Sequence, residues 1–225
     1  MIIDENETTA QNTDQFTFPK GTSVNKFVKC IRETSDYFLS ALSGHPNKGK
    51  LNENSLTQLF VTQLNIYISN DYPFLAQTQY SDTYYGSKGV PDFFFHKREL
   101  GKDSPALFVV EAKRLPSQTF EKEYVIGKTN NGGIERFKIE KHGIGLTKCG
   151  ILGFVEKDTF DDWKERINHW IEEQVNTDSN WSAKERLDPF FHFKSEGDVQ
   201  LFAHLISNVI KAKPLELHHF WINCQ

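Results

Sequence analysis

Two short apolar runs constrain this chain more than anything else in it: PDFFFHK at residues 91–97 and LFVVEAK at residues 107–113. Both are rich in Phe and Val and bounded by polar segments, the pattern of buried strands. The connection over 98–106 is polar and contains Gly101 and Pro105, which suits an antiparallel hairpin with a long loop. Yet Asp92 opens the first run, and Glu111 and Lys113 close the second. Side chains alternate across a strand. Leu107, Val109, Glu111 and Lys113 therefore share one face, and Phe108, Val110 and Ala112 the other. Antiparallel pairing sets the start of the first strand beside the end of the second, so Asp92 falls next to Glu111 and Lys113.

Converging carboxylates repel unless something neutralises them. A hard divalent cation does so, and Mg²⁺ takes one or two carboxylates with waters and phosphate oxygens. A neighbouring lysine can hold or help deprotonate a water and stabilise charge on a phosphate. Asp with Glu-x-Lys on adjacent strands is thus a sensible phosphodiester-hydrolysis site. The competing reading makes Asp92 a turn residue and Glu111–Lys113 a surface ion pair worth at most about 1 kcal/mol.

The flanking sequence supplies helices and further strands. TSVNKFVKCIRETSDYFLSALSGHP places Val24, Phe27, Val28, Ile31, Phe38 and Leu42 near helical spacing, with Thr22 or Ser23 to cap it. A second helix starts at the N-cap Asn52, buries Leu56, Leu59, Phe60, Leu64 and Tyr67, and ends before Pro73. FLAQTQYSDTYY (74–85) reads as a strand, GGIERFKIEKHG as a short helix with a basic face, and KCGILGFVE as an apolar strand. TFDDWKERINHWIEEQV is a helix capped by Thr159. PFFHFKS and LELHHFWIN read as late strands, with DVQLFAHLISNVIK as a helix between them. The whole is an α/β domain with a mixed sheet.

Pro91-Asp92 followed by Glu111-Ala112-Lys113 resembles the PD-(D/E)xK nuclease superfamily, whose fold is restriction-endonuclease-like. The resemblance extends over roughly residues 52–155, where the order of elements looks like that family's αβββαβ core: a central mixed sheet flanked by helices. An N-terminal helix and a C-terminal α/β extension (156–225) would complete a single domain spanning 19–225, after a polar tail at 1–18. The resemblance implies a Mg²⁺-dependent endonuclease, with Mn²⁺ able to substitute. DNA ranks ahead of RNA as substrate, in restriction, defence, repair or mobile-element biology. It assigns Asp92 and Glu111 to the metal and Lys113 to the water. Glu53, in the helix before the sheet, matches the acidic position that the family often carries there; as a reading of the residue alone, it is equally a carboxylate favoured by the helix dipole. Asp82 ranks below it. The helix after the third strand often lends a polar residue, and Glu135, Arg136 and Lys138 are all open. Family members often dimerise, so a homodimer is expected. The alternative is an inactive module of the same fold that binds nucleic acid or a protein.

Charge speaks only weakly for nucleic acid. The net charge is −4, without the basic excess common in such binders. Between Lys113 and Lys148, however, eight basic residues face four acidic ones. Lys88, Arg114, Lys128, Arg136 and Lys138 are the expected phosphate contacts. Tyr80, Tyr84 and Tyr85, in the turn-rich stretch with Lys88, either stack on a base or pack locally.

Other chemistries fit less well. Cys30, Cys149 and Cys224 are far apart and odd in number, against a disulfide framework or a cysteine zinc site, and a reducing cytoplasm fits best. The first residues, MIIDENETTAQNTDQ, carry neither a basic region nor an apolar run. No stretch approaches the roughly 20 apolar residues that span a bilayer, so no membrane partner is expected. His218 and His219 are adjacent and would face opposite sides of a strand. His142 either touches phosphate or ends a helix. Neither a Walker loop nor a Gly-x-Ser-x-Gly elbow occurs.

Overall fold

The computed structural model describes residues 22–69, 71–188 and 192–225. The tail expected over 1–18 lies outside them, as do Pro189–Phe191 of the first late strand and the side chains of Thr22 and Ser23 expected to cap the first helix.

Helix α1 spans Thr22–Ser43 and α2 Glu53–Ile68, with Asn52 accepting the Ser55 amide at 2.9 Å as N-cap. Strands β1 (Phe74–Thr78), β2 (Phe93–Lys97) and β3 (Phe108–Leu115) follow, then α3 (Gly133–Lys138) and β4 (Lys148–Val155). Helix α4 (Phe160–Thr177) is closed by a reciprocal Thr159–Asp162 cap, and β5 (His192–Glu196), β6 (Val199–Val209) and β7 (Leu215–Asn223) end the chain.

All seven strands form one mixed sheet in the order β1-β2-β3-β4-β7-β6-β5. β3, β4 and β7 run parallel to one another; every other pair is antiparallel. The parallel trio sits in the middle, where both faces are covered, and its strands read as near-continuous apolar runs for that reason. One face buries Phe93, Phe95, Phe108, Val110, Leu152 and Phe154 against α1 and α2. The other buries Phe94, Val109, Ile151 and Val155 against α3 and α4, with Trp163, Ile167 and Ile171 as the main cover. The protein is therefore an α/β domain with a mixed sheet between helical layers. No helix among the described residues is long and apolar enough to cross a membrane.

Two expectations are corrected. Residues 199–209 are a strand, β6, and not a helix. Its apolar run satisfies both periodicities; pairing with β5 on one edge and β7 on the other selects the extended form. Strand β1 ends at Thr78 rather than reaching Tyr85. Gln79 takes a left-handed φ of 58°, and the Asp82 carboxylate gathers the backbone amides of Tyr84, Tyr85 and Ser87, each at 2.9 Å, into a turn.

Candidate functional site

The β2–β3 register pairs Phe93 with Val110, so Asp92 stands opposite Glu111 at the next position outward. Phe93, Val110 and Ala112 all belong to the α1/α2 face. Alternation therefore sends Asp92, Glu111 and Lys113 to the opposite face together.

Glu111 is fully buried and Lys113 nearly so. The Lys113 Nζ lies 2.8 Å from Glu111 Oε1, 3.3 Å from Glu53 Oε1 and 2.9 Å from the Ala112 carbonyl. Asp92 Oδ2 accepts the Ala112 amide at 2.6 Å. Glu53 also accepts the Arg114 amide, at 3.0 Å. Its place in the first turn of α2 suits the helix dipole, and from there its carboxylate reaches β3.

Four further residues lie around the cluster or beside it. Arg136, from α3, forms an ion pair with Glu111. Of the three α3 candidates, it is the one that reaches the cluster. Glu135 instead accepts the amides of Gly127 and Gly132, at 3.0 and 3.1 Å, and fixes the approach to α3. His142 was not assigned to this cluster from the sequence. Its side chain is buried, and Nε2 lies 3.1 Å from Glu111 Oε2, although neither atom is aligned for a hydrogen bond. Arg114 points along β3 into a two-pronged pair with Glu156, at 2.7 and 2.8 Å.

Several expected residues lie elsewhere. Lys138 is buried against Glu185, at 2.7 and 2.9 Å, so its ammonium is turned away from any incoming phosphate. Lys88 and Lys128 are exposed, and Lys128 lies 5.9 Å above the Phe120 ring. Asp82 organises its turn. His219 is held between the hydroxyls of Tyr124 (2.9 Å) and Ser207 (2.8 Å), and burial pushes its pKa down to about 3. His218 faces the other side and meets His204 at 2.9 Å.

Electrostatics divide the carboxylates. Burial acts to raise Glu111, but Lys113, His142 and Arg136 outweigh it and hold its pKa at about 2. Asp92 is pushed up to about 7, by burial first and then by the negative charge of Glu111, against partial relief from Lys113 and the Ala112 amide. Burial likewise raises Glu53, with Lys113 opposing it. Burial would lower Lys113, yet Glu111, Glu53 and Asp92 together lift it above the ordinary lysine range. Lys113 is thus an ammonium at neutral pH: it can donate hydrogen bonds and stabilise anionic charge, but it cannot accept a proton.

The donor set suits a hard cation. It offers carboxylates and one backbone carbonyl, and Glu111 Oε2 is buried without an aligned partner. Among the described residues no three His, Cys, Asp or Glu side chains close on one point. Mg²⁺ does not require three: one or two carboxylates, water and phosphate complete its octahedron. Asp92 and Glu111 are the carboxylates that could serve, and Glu53 lies on the far side of the Lys113 ammonium from Glu111. Comparison with protein-family models, with curated proteins and with solved structures finds no match.

Proposed function

We propose that this protein is a Mg²⁺-dependent nuclease of the PD-(D/E)xK type, acting on DNA. One observation carries the reading: a hairpin register that sets Asp92 opposite Glu111 while Lys113 extends from the same face into the carboxylates. The run of elements from α2 to β4, helix–three strands–helix–strand, has the order of that family's core. Asp92 and Glu111 would hold the metal, with Glu53 next to them. The bound metal would polarise the scissile phosphate and lower the pKa of its water.

The chain's own side chains supply the remainder. The Lys113 ammonium orients a water lone pair toward phosphorus and stabilises negative charge on the phosphate oxygens. Arg136 and Lys113 hold Glu111 ionised and in place. Asp92 would have to be ionised to act as a ligand, and a bound dication would favour that form. Lys88 and Lys128, both exposed, remain free to meet backbone phosphates.

A second reading has its own support. Lys113 and Arg136 already pair with Glu111, so its charge is offset without metal, which suits a binding module that does no chemistry. Incubating the protein with plasmid, linear DNA and RNA under Mg²⁺, Mn²⁺ or EDTA separates the two. Metal-dependent cleavage, lost in Asp92→Ala and reduced at least about a hundredfold in Lys113→Ala, is expected of the nuclease. Cleavage in EDTA, or full activity in both variants, would sink it.

A further inference from the structure

The turn between β1 and β2 is built as a small platform beside this cluster. Tyr80 is part of the core, its ring 4.4 Å from that of Phe94. Tyr84 and Tyr85 are not: each is 44% exposed, and their ring centroids are 6.4 Å apart. Together they present two half-exposed aromatic rings side by side on the surface of the turn. Their backbone is nonetheless rigid, since Asp82 binds the amides of Tyr84, Tyr85 and Ser87.

The platform is also docked. Gly145, at φ +80°, lies against Tyr85 so closely that a Cβ there would come 2.7 Å from the ring. Ser87 Oγ accepts the Ile144 amide at 3.3 Å, and the Gly89 amide donates to the Lys141 carbonyl at 2.9 Å. Gly89 is pressed on His142, whose Nε2 adjoins Glu111. A single side chain therefore separates this turn from the buried carboxylate.

Charge at the rings favours a base over a phosphate. The Asp103 carboxylate lies close enough to the Tyr84 hydroxyl to act on it electrostatically, and its charge would repel a phosphate there. The exposed cation of the turn, Lys88, lies three residues further along the chain. A base inside a duplex has both faces covered by its neighbours, whereas an unpaired base offers a free face to an aromatic ring.

We propose that Tyr84 and Tyr85 form a stacking platform for unpaired nucleobases, which makes single-stranded or frayed nucleic acid the substrate class of the adjoining site. The inference rests on the nuclease reading of that site, and Lys88 would take the phosphate next to the stacked base.

Binding is measured in EDTA by fluorescence anisotropy, using labelled oligothymidine, a blunt duplex of equal length, and an abasic strand. Oligothymidine should bind most tightly. Tyr84→Ala and Tyr85→Ala should each weaken it about tenfold, Tyr→Phe at either position should retain it, and duplex binding should not change. Equal binding of the abasic strand, full affinity in both alanine variants, or no binding at all would overturn the platform. Cleavage separates this inference from its premise. Activity lost in Lys113→Ala but unaltered in both tyrosine variants overturns the platform and leaves the nuclease standing. Tyrosine-dependent binding without cleavage under Mg²⁺ or Mn²⁺ supports the platform and overturns the nuclease.

Discussion

Asp92 and Glu111 are the same functional group in opposite electrostatic states. Glu111 pairs with the cations Lys113 and Arg136 and stays ionised, whereas burial and the charge of Glu111 act on Asp92 against only partial relief from Lys113 and the Ala112 amide. The Asp92 pKa of about 7 lies above the ordinary 3.8. Between those values the folded state keeps a proton that the unfolded chain has lost. Its contribution to stability is therefore fully present below about pH 4 and is lost as pH rises through 7. Asp92→Asn keeps an acceptor for the Ala112 amide and removes the titration. In EDTA its advantage over wild type should be small near pH 5 and reach roughly 1–2 kcal/mol above pH 8, after discounting for partial exposure. Thermal unfolding across that range checks this; a difference that does not vary with pH would refute it. Asp92, Glu111 and Lys113 were legible in the sequence because alternation and antiparallel pairing are local rules. His142 and Arg136 were not so legible: each reaches Glu111 across a chain separation that no periodicity encodes.

At the scale of elements, α3 and the β1–β2 turn hold the cluster from two sides. Gly89 is a tight joint: a Cβ there would stand 2.5 Å from His142 Cε1 and 2.8 Å from the Lys141 carbonyl. Gly89→Ala should cost about 1–3 kcal/mol of stability through overpacking, and it should move His142 away from Glu111. Gly49, with nothing within 4 Å of its added Cβ, is the control, and Gly49→Ala should be close to neutral. Equal melting temperatures for the two variants would show that the joint is loose. Helix α3 also explains how three polar candidates resolve. Its six residues make less than two turns, so Glu135, Arg136 and Lys138 point in different directions: to the preceding loop, to Glu111 and to Glu185. The edge strand β1 is protected by a side chain, since Asn65 both donates to the Ala76 carbonyl (2.8 Å) and accepts its amide (3.0 Å).

Across the whole molecule, β7 lies beside the central strand β4 in the interior of the sheet. The two pair in parallel over eight residues, and both core clusters draw on the last third of the chain: Leu217 and Trp221 in one, Phe220 and Ile222 in the other. A chain ending at Asp158 would uncover one edge of β4 and leave Ile151, Leu152, Phe154 and Val155 without much of their cover. Such a fragment should show no cooperative thermal transition and should aggregate, because long apolar edge strands template association. A sharp transition in the fragment would show that residues 22–158 fold alone. The buried Lys138–Glu185 pair ties α3 to this last third, as does the Lys138 ammonium 4.8 Å above the Trp181 ring.

By itself, the sequence determined the positions of the central strands, the faces of their side chains and the grouping of Asp92 with Glu111 and Lys113. Those features depend on residue spacing along one hairpin. The tertiary structure alone decided that 199–209 is a strand, since its apolar run fits two periodicities and only its neighbours β5 and β7 choose between them. It alone placed Arg136 and His142 on Glu111, gave Arg114 to Glu156 and turned Lys138 inward. Each of those is an ion pair or contact between distant segments, set by where the sheet and helices bring charges into low dielectric, and no local pattern in the chain records it.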